Sequence, residues 1–184
     1  MHAIDPTARA RLQPLLQRVL IYDPNLHAAS LLEGALRGFG AREVRIEVHT
    51  DMARSAAEMI DPTLVFTEAA ADADPFVLVN AIRRSTMGCR QTPIFVLTTL
   101  ATGSALGLAQ DAGAHEFLRK PFTHRDVLRR LDHLARHPRA WVEKPGYVGP
   151  ERRLFNSGAA RRRLSDRQAL IEQGVSASRL YLAR

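Results

Sequence analysis

Two arginine clusters and one aspartate carry the clearest chemical signal in this chain of 184 residues. Arg152-Arg153 and Arg161-Arg162-Arg163 stand on either side of Leu-Phe-Asn-Ser-Gly-Ala-Ala, and Asp166 follows Arg163 in an R-x-x-D spacing, with Arg167 next. Guanidinium planes stack on base faces and donate in pairs to phosphate, or to guanine O6 and N7. A carboxylate repels phosphate, but it accepts from the guanine N1–H and N2–H₂ groups. Arginine and aspartate side by side therefore suit a ligand presenting guanine and phosphate together. Between the clusters, Gly158 permits close backbone approach, and Asn156 and Ser157 can hydrogen-bond.

The charge distribution points the same way. Residues 1–138 hold 16 basic and 15 acidic side chains, whereas residues 139–184 hold 10 and 4, so nearly all of the net charge of +7 lies in the last quarter. Nine of those ten cations are Arg. Such asymmetry predicts an anionic partner: nucleic acid, nucleotide, or an acidic protein or membrane surface. The alternative is a merely solvated tail. The segment Tyr147–Gln168 is too short and polar to build a core, so it is expected to be mobile alone and to order on its ligand. Ser165 with Gln168 makes a capping box for a short helix, Asp166–Gln173, that Gly174 stops. Leu170 and Ile171 would then face the rest of the chain or a partner.

The remaining chemistry is sparse. Seven His lack ligand spacing, and His133 and His137, four apart, have no third ligand, so no metal is expected. Ser and His occur without nucleophile-elbow context, so no enzyme is expected. Cys89 is the single cysteine, which excludes an internal disulfide and suits a reducing compartment. No window approaches the roughly 18 apolar residues of a membrane span. The chain reads as soluble and cytoplasmic.

Apolar content of 46% predicts that most of the chain folds. Short apolar runs at 19–22, 64–67, 93–99 and 116–119 read as buried strands, and Val44–Val48 alternates like a half-buried one. Helical stripes occupy 26–39, 53–60, 75–85, 105–112 and 123–136, the last opened by a Thr123–Asp126 capping box. Alternating strands and helices predict an α/β, flavodoxin-like (βα)5 fold with ligands at the strand C-terminal ends. Residues 1–15 read as an N-terminal arm or helix, 16–137 as the α/β domain and 138–184 as an arginine-rich tail. Pro138, Pro145, Gly146, Gly149 and Pro150 are read as breakers of regular structure.

The strings RVLIYD, LVFTE, PIFVLTT and FLRKPF resemble the CheY-like receiver domain of bacterial response regulators over residues 16–137. Asp23 to Glu68 is 45 residues, Glu68 to Thr98 is 30 and Glu68 to Lys120 is 52, intervals similar to a receiver's. The resemblance implies a pocket in which an acidic pair holds Mg²⁺, an Asp takes a phosphoryl group, and a Thr and a Lys bind its oxygens. Thr98 and Lys120 match, and Phe117 falls at the switch-aromatic position. Glu68 replaces the phosphoacceptor Asp, and its extra methylene displaces the carboxylate by over 1 Å. Asp23, between Tyr22 and Pro24, lacks the second acid. The pocket of Asp23, Glu68, Thr98 and Lys120 is therefore expected to be degenerate and not phosphorylated. A Glu68–Lys120 pair would either mimic the active state or be structural only.

The pattern GPxRR…RRRxxD after a receiver resembles the Cle group of CheY-like proteins. A compact ligand with several phosphates and guanines is cyclic di-GMP, and the resemblance implies that molecule, with the flagellar motor switch as protein partner. It also implies recruitment to the motor or pole. By motif, Arg152, Arg153, Arg162, Arg163 and Asp166 are the leading binding residues, with Tyr147, Ser157, Gly158 and Arg161 in support. The rival readings are a nucleic-acid-binding regulator and a phosphorylation-independent interaction module.

Overall fold

The computed structural model describes residues 5–69, 75–99 and 102–154. Helix α1 (Pro6–Leu12) precedes five alternating units: β1 (Arg18–Tyr22), α2 (Leu26–Phe39), β2 (Glu43–Glu47), α3 (Thr50–Ile60), β3 (Leu64–Glu68), α4 (Val77–Arg83), β4 (Ile94–Thr98), α5 (Gly103–Ala112), β5 (Glu116–Arg119) and α6 (His124–Arg136). The strands pair in parallel in the order β2-β1-β3-β4-β5. That is the expected flavodoxin-like order, whose right-handed crossovers place helices on both faces.

Alternate strand residues feed two cores. Val19, Ile21, Phe66, Phe95 and Leu97 pack with α2 and α6, while Leu20, Val65, Val96 and Phe117 pack with α3, α4 and α5. β4 is buried along its whole length, as a central parallel strand must be. β2 is the half-buried edge strand. Thr123 and Asp126 form the expected reciprocal capping box on α6. The arm at the N-terminus is the helix α1, capped by Asp5 with Pro6 in its first turn. It joins the first core through Leu12, followed by Leu16, and Arg11 pairs with Asp132 of α6 at 2.5 Å.

The breaker residues after Pro138 require a correction. They delimit structure here: β6 (Trp141–Lys144) and β7 (Tyr147–Pro150) form an antiparallel hairpin. Pro145 followed by Gly146 at φ 80° makes the two-residue turn, in the order a type II turn takes. The tail segment that begins at Tyr147 was expected to lack order of its own. Its first four residues are a strand, and Tyr147 is buried. The hairpin lies against the turn between α5 and β5. There Gly113 has φ 95°, and a Cβ on Gly149 would stand 2.8 Å from the Gly113 Cα. Glycine is required at both positions by close backbone approach.

Candidate functional site

The receiver-like pocket lies at the C-terminal ends of β1, β3, β4 and β5. Parallel strands bring Asp23, Glu68, Thr98 and Lys120 to this rim together, and the Lys120 backbone N–H donates to the Thr98 carbonyl at 2.7 Å. Lys120 Nζ donates to Asp23 Oδ2 at 2.6 Å and also ion-pairs with Glu68 Oε2. Asp23 Oδ1 accepts from the Asn25 N–H at 2.9 Å, which closes the turn into α2. Burial pushes the Glu68 carboxyl above its ordinary range, opposed by the bond and charge of Lys120 and aided by the charge of Asp23. Burial acts to lower the Lys120 pKa, but the two carboxylates outweigh it and hold the ammonium above its usual value. Thr98, at the end of β4, and Phe117, in β5, are both buried.

These residues do not fit the Mg²⁺ that the receiver resemblance implies. A hard divalent cation takes several oxygen ligands. Tyr22 contributes none here, since its hydroxyl accepts from Thr50 Oγ1 at 2.8 Å on the α3 side. Pro24 has no side-chain donor atom. Both available carboxylates already face the one ammonium.

The other end of the sheet holds a polar constellation that sequence reasoning missed. Arg83, at the end of α4, is 1% exposed. Its guanidinium donates to the carbonyls of Gly113 at 2.8 Å, Arg90 at 2.7 Å and Thr92 at 2.9 Å, and it meets His115 Nδ1 at 3.1 Å. All four partners are neutral: burial holds the His115 ring well below its usual pKa, with the charges of Arg83 and Arg139 adding to the effect. The lone Trp141 ring lies 5.4 Å from this guanidinium and 6.0 Å from that of Arg90. Its indole N–H donates to Glu143 at 2.7 Å, and Glu143 pairs with Arg90 at 3.0 Å. Burial without a counter-charge lowers the Arg83 pKa to about 9. Nearby, wholly buried Glu116 accepts from Arg130 at 2.5 Å and Arg139 at 2.6 Å. The sequence signal for this region was the pair of short runs around Pro145-Gly146, each with an aromatic and a β-branched residue.

The root of the arginine-rich segment grows from this hairpin. Arg152 lies over the Tyr147 ring at 3.9 Å and pairs with Asp111 of α5 at 2.8 Å. Its carbonyl accepts from Gln110 Nε2 at 2.9 Å. The Tyr147 hydroxyl donates to the Pro150 carbonyl at 2.5 Å, so this residue offers a ring face. Arg153 is 90% exposed, with Glu151 at 3.3 Å. Two clefts flank the hairpin. One, of about 280 Å³, separates it from α4 and α5; the other, of about 220 Å³, is lined by Tyr147, Arg152 and Arg153 among others. Ser157, Gly158, Arg161, Arg162, Arg163, Asp166 and the expected helix 166–173 lie outside the described residues.

The chain matches no protein-family model and no curated protein. Solved structures do resemble it. The chemotaxis protein CheY4 of Vibrio cholerae is 23% identical with a TM-score of 0.59, covering 64% of this chain and 98% of its own. A CheY-like receiver domain protein of Methanospirillum hungatei gives 20% and 0.58, over 66% and 94%. The receiver domain of a Pseudomonas aeruginosa sensor histidine kinase, solved with magnesium in its active-site cleft, gives 24% and 0.57, over 66% and 98%. At these identities the likeness establishes the fold, which is that of CheY-like receivers. Among the described residues no helix is long and apolar enough to cross a membrane.

Proposed function

We propose that this chain is a non-enzymatic, phosphorylation-independent effector with a receiver fold, whose input is a guanine dinucleotide bound at its arginine-rich segment. The observation that carries the first half is the engagement of Lys120 by both Asp23 and Glu68. A phosphoryl group would have to displace a carboxylate from that ammonium, at a position whose Glu places its own oxygens too far forward for in-line attack. Acetyl phosphate with Mg²⁺ should leave the protein unmodified by intact-mass measurement; stoichiometric uptake would overturn this half.

Support for the second half comes from residue chemistry, from the resemblance to the Cle group, and from the stacking of Arg152 on Tyr147 at the root of the segment. The ligand on this reading is cyclic di-GMP, read by Arg152, Arg153, Arg161, Arg162, Arg163 and Asp166, with the flagellar motor switch as the partner whose binding changes. Calorimetry on the full chain should register cyclic di-GMP binding, weakened at least tenfold by Asp166→Ala and weaker for the adenine analogue. No heat at micromolar protein removes this reading. A nucleic-acid-binding regulator is the alternative favoured by the basic balance of residues 139–184. It predicts affinity indifferent to base and a steep decline with salt.

A further inference from the structure

We infer that the folded body carries an anion-binding cleft of its own, between the C-terminal end of α4 and the hairpin turn, where Arg84 and Lys144 hold a phosphate ester. The cleft measures about 280 Å³ and is lined by Asn80, Arg83, Arg84, Asp111, Lys144 and Tyr147 among others. Arg84 and Lys144 are exposed, and neither stands in an ion pair among the described residues. Beneath them lies the buried Arg83 guanidinium, whose partners are three carbonyls and a neutral imidazole. That charge has no carboxylate partner, and its field adds to those of Arg84 and Lys144 at the cleft. The single carboxylate on the lining, Asp111, is already paired with Arg152 at 2.8 Å. Two exposed cations, above a third that is buried, therefore line a cavity whose one carboxylate is already paired.

Size limits the occupant. About 280 Å³ is near the lower end for small-molecule sites and takes a phosphate with part of a sugar, not a whole dinucleotide. Lys144 and Tyr147 also line the second cleft, beside Arg152 and Arg153. A single ligand can straddle the hairpin, with one phosphodiester against Arg84 and Lys144 and the remainder over Arg152 and Arg153. In naming a cyclic dinucleotide as that ligand, the inference rests on the function proposed above; the anion cleft itself does not.

The test uses the full chain and two probes. Titration with inorganic pyrophosphate, followed by amide NMR, should shift Arg84, Lys144, Gly146 and Val148 saturably. Those shifts should vanish in the Arg84→Ala/Lys144→Ala double variant, which alters only exposed side chains and should keep the wild-type Tm. Non-saturating drift over the whole basic surface, or shifts unchanged in the double variant, overturn the cleft. With cyclic di-GMP the same variant should bind at least fivefold more weakly. An Arg54→Ala/Arg125→Ala variant, with the same charge removed elsewhere, should bind like wild type. Equal loss in both variants assigns the effect to bulk charge and overturns the inference. Pyrophosphate binding at the cleft without cyclic di-GMP binding would remove the dinucleotide reading and leave the anion cleft standing.

Discussion

Lys120 is the residue on which the receiver-like pocket turns, because it is the one cation between two largely buried carboxylates. Removing one partner of a buried ion pair leaves an uncompensated charge, which costs about 3–5 kcal/mol. Lys120→Met is expected to lose stability on this order at pH 7 by chemical denaturation. The pH dependence follows from Glu68, whose carboxyl is already pushed upward by burial. A carboxyl with a raised folded pKa favours the native state below its unfolded pKa and loses that advantage as pH rises through the folded value. Without Lys120 the folded pKa rises further, so lowering the pH from 7 to 5 should stabilise the variant more than wild type and recover part of the deficit. Glu68→Gln, which keeps the Lys120–Asp23 bond, should cost no more than about 1 kcal/mol. At the opposite end, Arg83 donates in several directions from one rigid plane. An ammonium cannot reach the same carbonyls, so Arg83→Lys is expected to cost about 2–3 kcal/mol by the same measurement.

The hairpin of β6 and β7 depends on two backbones approaching without side chains between them. A Cβ at Gly149 meets the Gly113 Cα at 2.8 Å, where neither partner is a flexible chain end. Gly149→Ala should therefore lift the hairpin, lower stability by about 1–3 kcal/mol and red-shift the fluorescence of Trp141 as its ring leaves Arg83 and Arg90. The elements differ sharply in how far the sequence discloses them. β1, β3, β4 and β5 announce themselves as apolar runs because both faces of a parallel sheet are covered, and α6 because its stripe and capping box are local. The receiver-like pocket was legible too, since strand ends fix which residues meet. The hairpin was not, because Pro145 and Gly146 read equally as a break or as a turn, and only docking decides between them. Nothing local marked Arg83 and Glu116 as a buried polar centre: their partners lie up to 32 and 23 residues away in the chain, and no period records that.

The molecule as a whole has two polar centres at opposite ends of one sheet. Glu68 and Lys120 sit where the strands end; Arg83, Trp141 and Arg152 sit where β4 and β5 begin. A five-residue strand puts roughly 16 Å between the two levels. Sites that far apart with no shared partner are additive within about 0.5 kcal/mol. Glu68→Gln should accordingly leave the affinity for cyclic di-GMP within about twofold of wild type, measured by calorimetry, while Arg152→Ala weakens it. Strong coupling between the two substitutions would show that the sheet transmits between its ends.

The bridge at Lys120 also bears on time. A phosphorylated signalling domain carries a clock in its own chemistry, since the acyl phosphate hydrolyses at a rate the pocket sets. On the function proposed above, the Lys120 bridge stands where such a bond would form, and none is made or broken. On that reading the duration of a response is the residence time of the bound anion, and the output follows its concentration reversibly, with no memory of earlier exposure.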